Sequence, residues 1–286
     1  MKAQFTNFDS EYALRANGKL LSLKTPVVMG ILNVTPDSFY DGGQLFSEKD
    51  LLQKAEKYIT EGAKIIDIGA VSTKPNADDV YEEEELKRLL PALKLLRKEF
   101  REVFISVDTF RSNVAKEAAN EGADIINDIS GGTFDTEMFA TVGKIKLPYV
   151  LMHTQGTPKT MQQNPQYNNV VDDVFDFFSE RINLAKQHGV EQLILDVGYG
   201  FGKTVEHNYQ LLKHQEKFQS LGFPLLTGVS RKSMINKVIG TKPENALNGT
   251  TVVNTLALLN GANILRVHDV KEAMQAIQLV NCYHSV

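Results

Sequence analysis

From Val27 onward, short apolar runs alternate with longer segments of helical period, and this alternation leaves the chain few folds to choose from. The runs are VVMGILN, KIIDIG, VFISVD, ADIIND, PYVLMH, LILDVG, PLLTGVS and NILRVH. Between them lie helix-like segments such as LLQKAEKYITEGA, EEELKRLLPALKLLRKEF, VFDFFSERINLAKQHG and residues 249–261. Near-continuous apolar strands separated by amphipathic helices imply a parallel sheet covered on both faces. Eight such units predict a closed (β/α)8, or TIM, barrel; a doubly wound open sheet is the alternative. Barrels of this kind run to about 250 residues as one domain. The 286 residues, 42% of them hydrophobic, therefore read as a single domain, 1–286. Residues 1–25 form an extension to it. Within that extension Asn17-Gly18 sits between apolar flanks and predicts a small β-hairpin, because a type I′ turn needs positive φ at both central residues.

Composition removes several classes of function. The net charge is −4, so no basic excess argues for a nucleic-acid partner. An acidic chain still binds an anion where its cations converge. The one cysteine, Cys282, supports neither a disulfide framework nor a zinc knuckle. No apolar run approaches the ~20 residues of a membrane helix, and the opening MKAQFTNFDS lacks a signal-peptide core. A cytoplasmic location with no membrane partner is expected.

The strand ends carry the chemistry. The runs end on or near Asn33, Asp67, Asp108, Asn127, His153, Asp196, Ser230 and His268, with Arg266 just before the last. In a barrel these ends converge on one face, where active sites lie. Asp, Asn and Ser also cap the helices that follow, and Asp67 lies inside its run, so it carries less functional weight. After the first run, VTPDSFYDGG is a long loop with the carboxylates Asp37 and Asp41, suited to act as a lid. The second loop offers Ser72, Thr73, Lys74 and Pro75. The stretch Asp196–Thr204 is glycine-rich but fails the spacing of a Walker A loop and of a dinucleotide fingerprint; it reads as a flexible loop closing on a flat ligand. Gly228–Ser233 places Arg231 and Lys232 at a helix start, where unpaired N–H groups favour anions. Glu82–Glu85 opens a helix and suits its dipole. No Ser/His/Asp order and no His/Glu cluster of zinc spacing stands out.

These segments, in this order, resemble the dihydropteroate synthases from Val27 to His268. The matching stretches are GILNVTPDSFYDGG, Ser72–Pro75, SVDTFR, INDISGG, LMHTQGTPKTMQ, DVGYGFGK, SRKS and RVHD. The resemblance implies a (β/α)8 barrel, usually a homodimer, that joins a 6-hydroxymethyl-dihydropterin diphosphate to p-aminobenzoate. It implies pterin contacts at Asp108, Asn127, Met152, Asp196, Gly228 and Lys232. It places the diphosphate at Asn33, Thr73, Arg266 and His268, with Mg2+ near Asn33. It places p-aminobenzoate against Phe39, Thr73, Lys74, Pro75, Phe201 and Ser233. Asp108, Lys232 and Asp41 are the implied catalytic groups, the two carboxylates stabilising the cation left when diphosphate departs. Alternative readings are another pterin-binding barrel, such as a methyltransferase that has no need of a diphosphate site, or a non-catalytic pterin-binding paralogue.

The second loop departs from the family pattern. Dihydropteroate synthases usually read Gly-Glu-Ser-Thr-Arg-Pro-Gly there; this chain reads Ala70-Val71-Ser72-Thr73-Lys74-Pro75-Asn76. Tyr40 and Val197 are further departures. Lysine keeps the charge of arginine but lacks its rigid fork. Lys74→Arg should therefore lower the KM for p-aminobenzoate in steady-state kinetics. An unchanged KM would count against a contact from this residue to that substrate.

Overall fold

The computed structural model describes residues 12–34, 47–71, 80–157, 160–161 and 164–286. Strands β1 (Ala13–Ala16) and β2 (Lys19–Ser22) pair antiparallel around Asn17-Gly18. Asn17 has φ 50° and Gly18 φ 75°, as the turn chemistry requires. Eight further strands follow: β3 (Val27–Asn33), β4 (Ile65–Gly69), β5 (Phe104–Asp108), β6 (Ile125–Asp128), β7 (Tyr149–Met152), β8 (Leu193–Asp196), β9 (Leu225–Thr227) and β10 (Ile264–Val267). They pair in sequence order, all parallel, and β10 closes onto β3. The closed barrel, rather than the open sheet, is the architecture.

The helices are α1 (Glu48–Thr60), α2 (Glu82–Glu99), α3 (Ser112–Asn120), α4 (Met138–Ile145), α5 (Val170–Gln187), α6 (Val205–Lys213), α7 (Ser233–Ile239), α8 (Leu247–Leu259) and α9 (Val270–His284). Local chemistry sets several starts. Ser47 accepts the Asp50 N–H ahead of α1, and Asn169 accepts those of Val171 and Asp172 ahead of α5. Thr204 and His207 form a capping box at α6. Strand residues are almost wholly buried, since one face fills the barrel and the other meets the helices. That double coverage is why the runs show no apolar–polar alternation.

The hairpin seals the N-terminal end of the barrel. Asp124, just before β6, is fully buried and accepts from Lys19 Nζ at 2.6 Å, Asn17 Nδ2 at 3.0 Å and the Ile105 N–H at 2.8 Å, and it also pairs with Arg97. Gln192 joins both backbone groups of Arg15. The floor is thus built on one carboxylate, and it leaves the opposite end of the barrel for chemistry. Asp124→Ala would strand two cations against buried surface. Losing one partner of such a group costs on the order of 3 kcal/mol, so Tm should fall by roughly 5–10 °C in a thermal melt while turnover below the transition is unchanged. An unaltered Tm would show that the hairpin does not depend on Asp124.

Candidate active site

Register places the polar strand ends at one level. Asn33 pairs with Gly69, Gly69 with Asp108, and Asp108 with Asn127, across β3 to β6. On the other side Met152 pairs with Asp196 across β7 and β8. Gly69 keeps this layer open: a Cβ there would lie 3.2 Å from the Asp108 Cβ. Gly228, past the end of β9, is a flat patch between two charged neighbours. A Cβ at that position would meet Arg266 Cβ at 3.8 Å and Asp196 Oδ2 at 3.9 Å.

Arg266 crosses the mouth and binds two carboxylates. Its Nε lies 2.7 Å from Asp67 Oδ2, and its Nη2 lies 2.6 Å from the same oxygen and 2.8 Å from Asp108 Oδ2. Asp67 is fully buried and also accepts from Ser106 Oγ at 2.6 Å and Asn127 Nδ2 at 3.3 Å. Burial pushes the Asp108 carboxyl up, Arg266 opposes the shift, and the Asp67 carboxylate adds to it. Burial likewise raises Asp196, against the pull of Lys232. The Asp196 carboxylate accepts the Gly198 N–H at 2.8 Å, so its anionic form is already partly met by the backbone.

Lys232 is the N-cap residue of α7, and its ammonium donates to the Tyr199 carbonyl and lies 4.8 Å from the centre of the Phe201 ring. Burial pushes its pKa down to about 8, while Asp196 holds it up; Arg266 and Asp108 also act on it. Those charges mark where the lysine points: into the same mouth. His268 is exposed there and is fixed by Ser230, whose Oγ accepts the His268 backbone N–H at 3.2 Å and meets ring Nδ1 at 3.1 Å.

The structure therefore brings together Asn33, Asp108, Asn127, Met152, Asp196, Gly228, Lys232, Arg266 and His268 around the C-terminal strand ends, with Phe201 under Lys232. Ser233 is exposed as the first residue of α7. Phe39, Asp41, Thr73, Lys74 and Pro75 lie outside the described residues, as do most of the first loop and residues 72–79 of the second, while the departures Ala70 and Val71 are described.

Three features differ from the sequence reading. The loop after β8 is braced rather than flexible. Lys203 is buried, and its Nζ reaches the carbonyls of Gly198 and Phe201 at 2.9 Å, His153 Nδ1 at 3.0 Å and the His153 carbonyl at 3.3 Å. Burial pushes Lys203 well down, yet the acceptors around it satisfy all three N–H groups of an ammonium. Gly198, at φ 71°, admits no side chain, because a Cβ would sit 1.9 Å from the His153 carbonyl. Arg231 is a brace and not an anion ligand: its guanidinium grips Asp269 at 2.9 and 2.7 Å, tying the Lys232 segment to the His268 segment. Glu85 is buried against Arg111, so it does more than match a helix dipole. Asp67 carried a readable signal: residues two apart in a strand face the same side, so it stands one layer beneath Gly69 on the mouth side.

The arrangement presents carboxylate and amide acceptors beside a lysine donor, with an arginine and a histidine next to them. It is suited to a flat heterocycle with several N–H groups and an attached anion. Comparison with known proteins agrees. A family model described as "Pterin binding enzyme" matches residues 29–268. The dihydropteroate synthase of Haemophilus influenzae is 49% identical over 259 residues, covering 90% of this chain and 94% of that one. The structure of Yersinia pestis dihydropteroate synthase with a sulfonamide drug superposes with a TM-score of 0.91 at 42% identity, over 96% of this chain and all of that one. That of the Xanthomonas albilineans enzyme with 4-aminobenzoic acid gives 0.89 at 38% identity, over 96% and 98%. A layer of strand-end acids, a crossing arginine and near-complete overlap with such relatives lead to one conclusion: this chain belongs to the dihydropteroate synthase family of pterin-binding enzymes.

Proposed function

We propose that the barrel condenses 6-hydroxymethyl-7,8-dihydropterin diphosphate with p-aminobenzoate, giving 7,8-dihydropteroate and diphosphate. The observation that carries this reading is Arg266 bound between Asp67 and Asp108, beside Asn127, Asp196 and Lys232. Asp108, Asn127 and Asp196 accept the N–H groups of the pterin, and Lys232 donates to its acceptor edge. Met152 and Gly228 line the ring. Arg266 and His268 meet the diphosphate, and Phe201 and Ser233 border the p-aminobenzoate. Relatives of this chain crystallise with 4-aminobenzoic acid or with a sulfonamide drug, which supports an arylamine subsite of the same kind here. From the first and second loops, Phe39, Thr73, Lys74 and Pro75 join that subsite, Thr73 also reaches the diphosphate, and Asp41 joins Asp108 in catalysis.

The chemistry follows from charge. As the C–O bond to diphosphate breaks, the methylene carbon becomes cationic and the ring shares the charge. Asp108, with its anion held by Arg266, stabilises that positive charge. The arylamine is neutral near pH 7 and attacks without a strong base, so positioning is the protein's main contribution; holding two reactants in attack geometry supplies ~7–11 kcal/mol. Diphosphate leaves against the Arg266 cation and the His268 ring.

The described mouth holds three carboxylates, Asp67, Asp108 and Asp196, and three cations, Lys203, Lys232 and Arg266. Arg266 is already engaged by two of these carboxylates before a diphosphate arrives. No cluster of three His, Cys, Asp or Glu able to hold a metal occurs among the described residues. The half-buried Asn33 at the tip of β3 offers one hard oxygen ligand. That set fits Mg2+, which takes few protein ligands and binds mostly through substrate phosphates and water. Asn33 would hold the ion, which when bound would supply charge neutralisation on the leaving group.

A homodimer is the proposed assembly. Val252, Leu256 and Leu259 make an exposed apolar stripe on α8, with Leu279 and Tyr283 exposed on α9, which packs beside it. A reducing cytoplasm fits the lone Cys282 and the lack of a membrane-length apolar helix among the described residues.

Purified protein given both substrates and Mg2+ should release pyrophosphate, and release should need p-aminobenzoate. Binding of pterin without pyrophosphate release would instead favour a non-catalytic paralogue. Asp108→Asn keeps the shape and removes the charge, so kcat should fall at least about a hundredfold with the fold intact by circular dichroism. Full activity in that variant would remove Asp108 from cation stabilisation.

A further inference from the structure

Resting on that reading of the site, we propose that Asp67 is a positioning residue that sets which hydrogen-bonding edge Asn127 and Arg266 present to the pterin. Asp67 is 1% exposed and lies one layer below the mouth, so it touches no substrate. Its acceptor capacity is used from three sides: Ser106 Oγ at 2.6 Å, Arg266 Nε at 2.7 Å and Asn127 Nδ2 at 3.3 Å to each carboxylate oxygen.

The contact to Asn127 decides the orientation of its amide. A carboxylate only accepts, so the NH2 group must face it and the amide oxygen must turn away. The reverse orientation would set the amide oxygen against the carboxylate in a buried place, with no donor between them. The Asn127 Oδ1 has no protein donor among the described residues, and it is not among the sealed atoms lacking a partner. It is therefore presented to the mouth as an acceptor, beside Asp108 in the neighbouring strand. Asparagine alone presents either edge; the carboxylate beneath makes the choice.

The contact to Arg266 has a matching consequence. Asp67 takes Nε and shares Nη2, while Asp108 has a single contact, to Nη2. The guanidinium is thus held from below, and Asp108 is released to the ligand without setting the arginine loose. With Asp67 neutralised, Arg266 would close on Asp108 and compete with the pterin for it.

Exchanging the two side chains tests the idea. Affinity for pterin-6-carboxylate, measured by calorimetric titration, should fall at least about tenfold in Asp67→Asn, where the amide at 127 is free to turn. It should also fall in Asn127→Asp, where two carboxylates face each other. The double variant Asp67→Asn/Asn127→Asp restores a donor below and an acceptor above but not the anion beneath Arg266, so it should bind more tightly than either single variant and less tightly than the wild type. In Asp67→Asn the KM for p-aminobenzoate should stay within about twofold, which general loosening of the barrel would not allow. Unchanged affinity in Asp67→Asn, or a double variant no better than its weaker parent, overturns the inference. Should Asp67→Asn fail to fold, rescue of Asn127→Asp by the second change reads the same coupling. Failure of the wild-type protein to bind the pterin would instead overturn the functional reading.

Discussion

The site depends on one guanidinium held between two carboxylates. Arg266 rises from β10, crosses the top of the barrel and is gripped by Asp67 on β4 and Asp108 on β5. A buried arginine without such partners would be costly, and so would either acid without the arginine. The two carboxylates outweigh the effect of burial and keep Arg266 charged. The pairing also gives the mouth its division of labour. Acceptors gather on one flank, and Arg266 and His268 stand on the other. A substrate that is a donor-rich ring at one end and an anion at the other matches that division.

The scaffold explains why these groups can meet. Eight parallel strands deliver side chains from residues as far apart as Asp67 and Arg266 to one level, and the hairpin closes the far end. Three braces then fix what the strands deliver. Lys203 ties the loop after β8 to His153, Arg231 ties the Lys232 segment to Asp269, and Ser230 holds the His268 ring. Each brace joins two strand-end segments, so the described segments after β7 to β10 are tied to one another before a ligand arrives. Such prior ordering is what positioning catalysis needs.

Much of this was legible in the sequence, for physical reasons. The strands could be read because parallel strands buried on both faces are continuous apolar runs. The hairpin could be read because Asn17-Gly18 has few other uses. The outer layer of the site could be read because it sits at run ends, as Asn33, Asp108, Asn127 and His268 do. The braces could not. Lys203 and its glycines look like a mobile loop until His153, fifty positions away, supplies acceptors. Arg231 looks like an anion ligand until Asp269 folds against it. Asp67 hides inside an apolar run, where only the two-residue step to Gly69 betrays its direction.

A crystal structure of the protein with the pterin diphosphate and Mg2+ tests the account most directly. The ring should lie against Asp108, Asn127, Asp196 and Lys232, with Arg266 still on Asp67 and turned toward the diphosphate. A ring bound outside this layer, or an Arg266 that leaves Asp67 when the ligand enters, would contradict it.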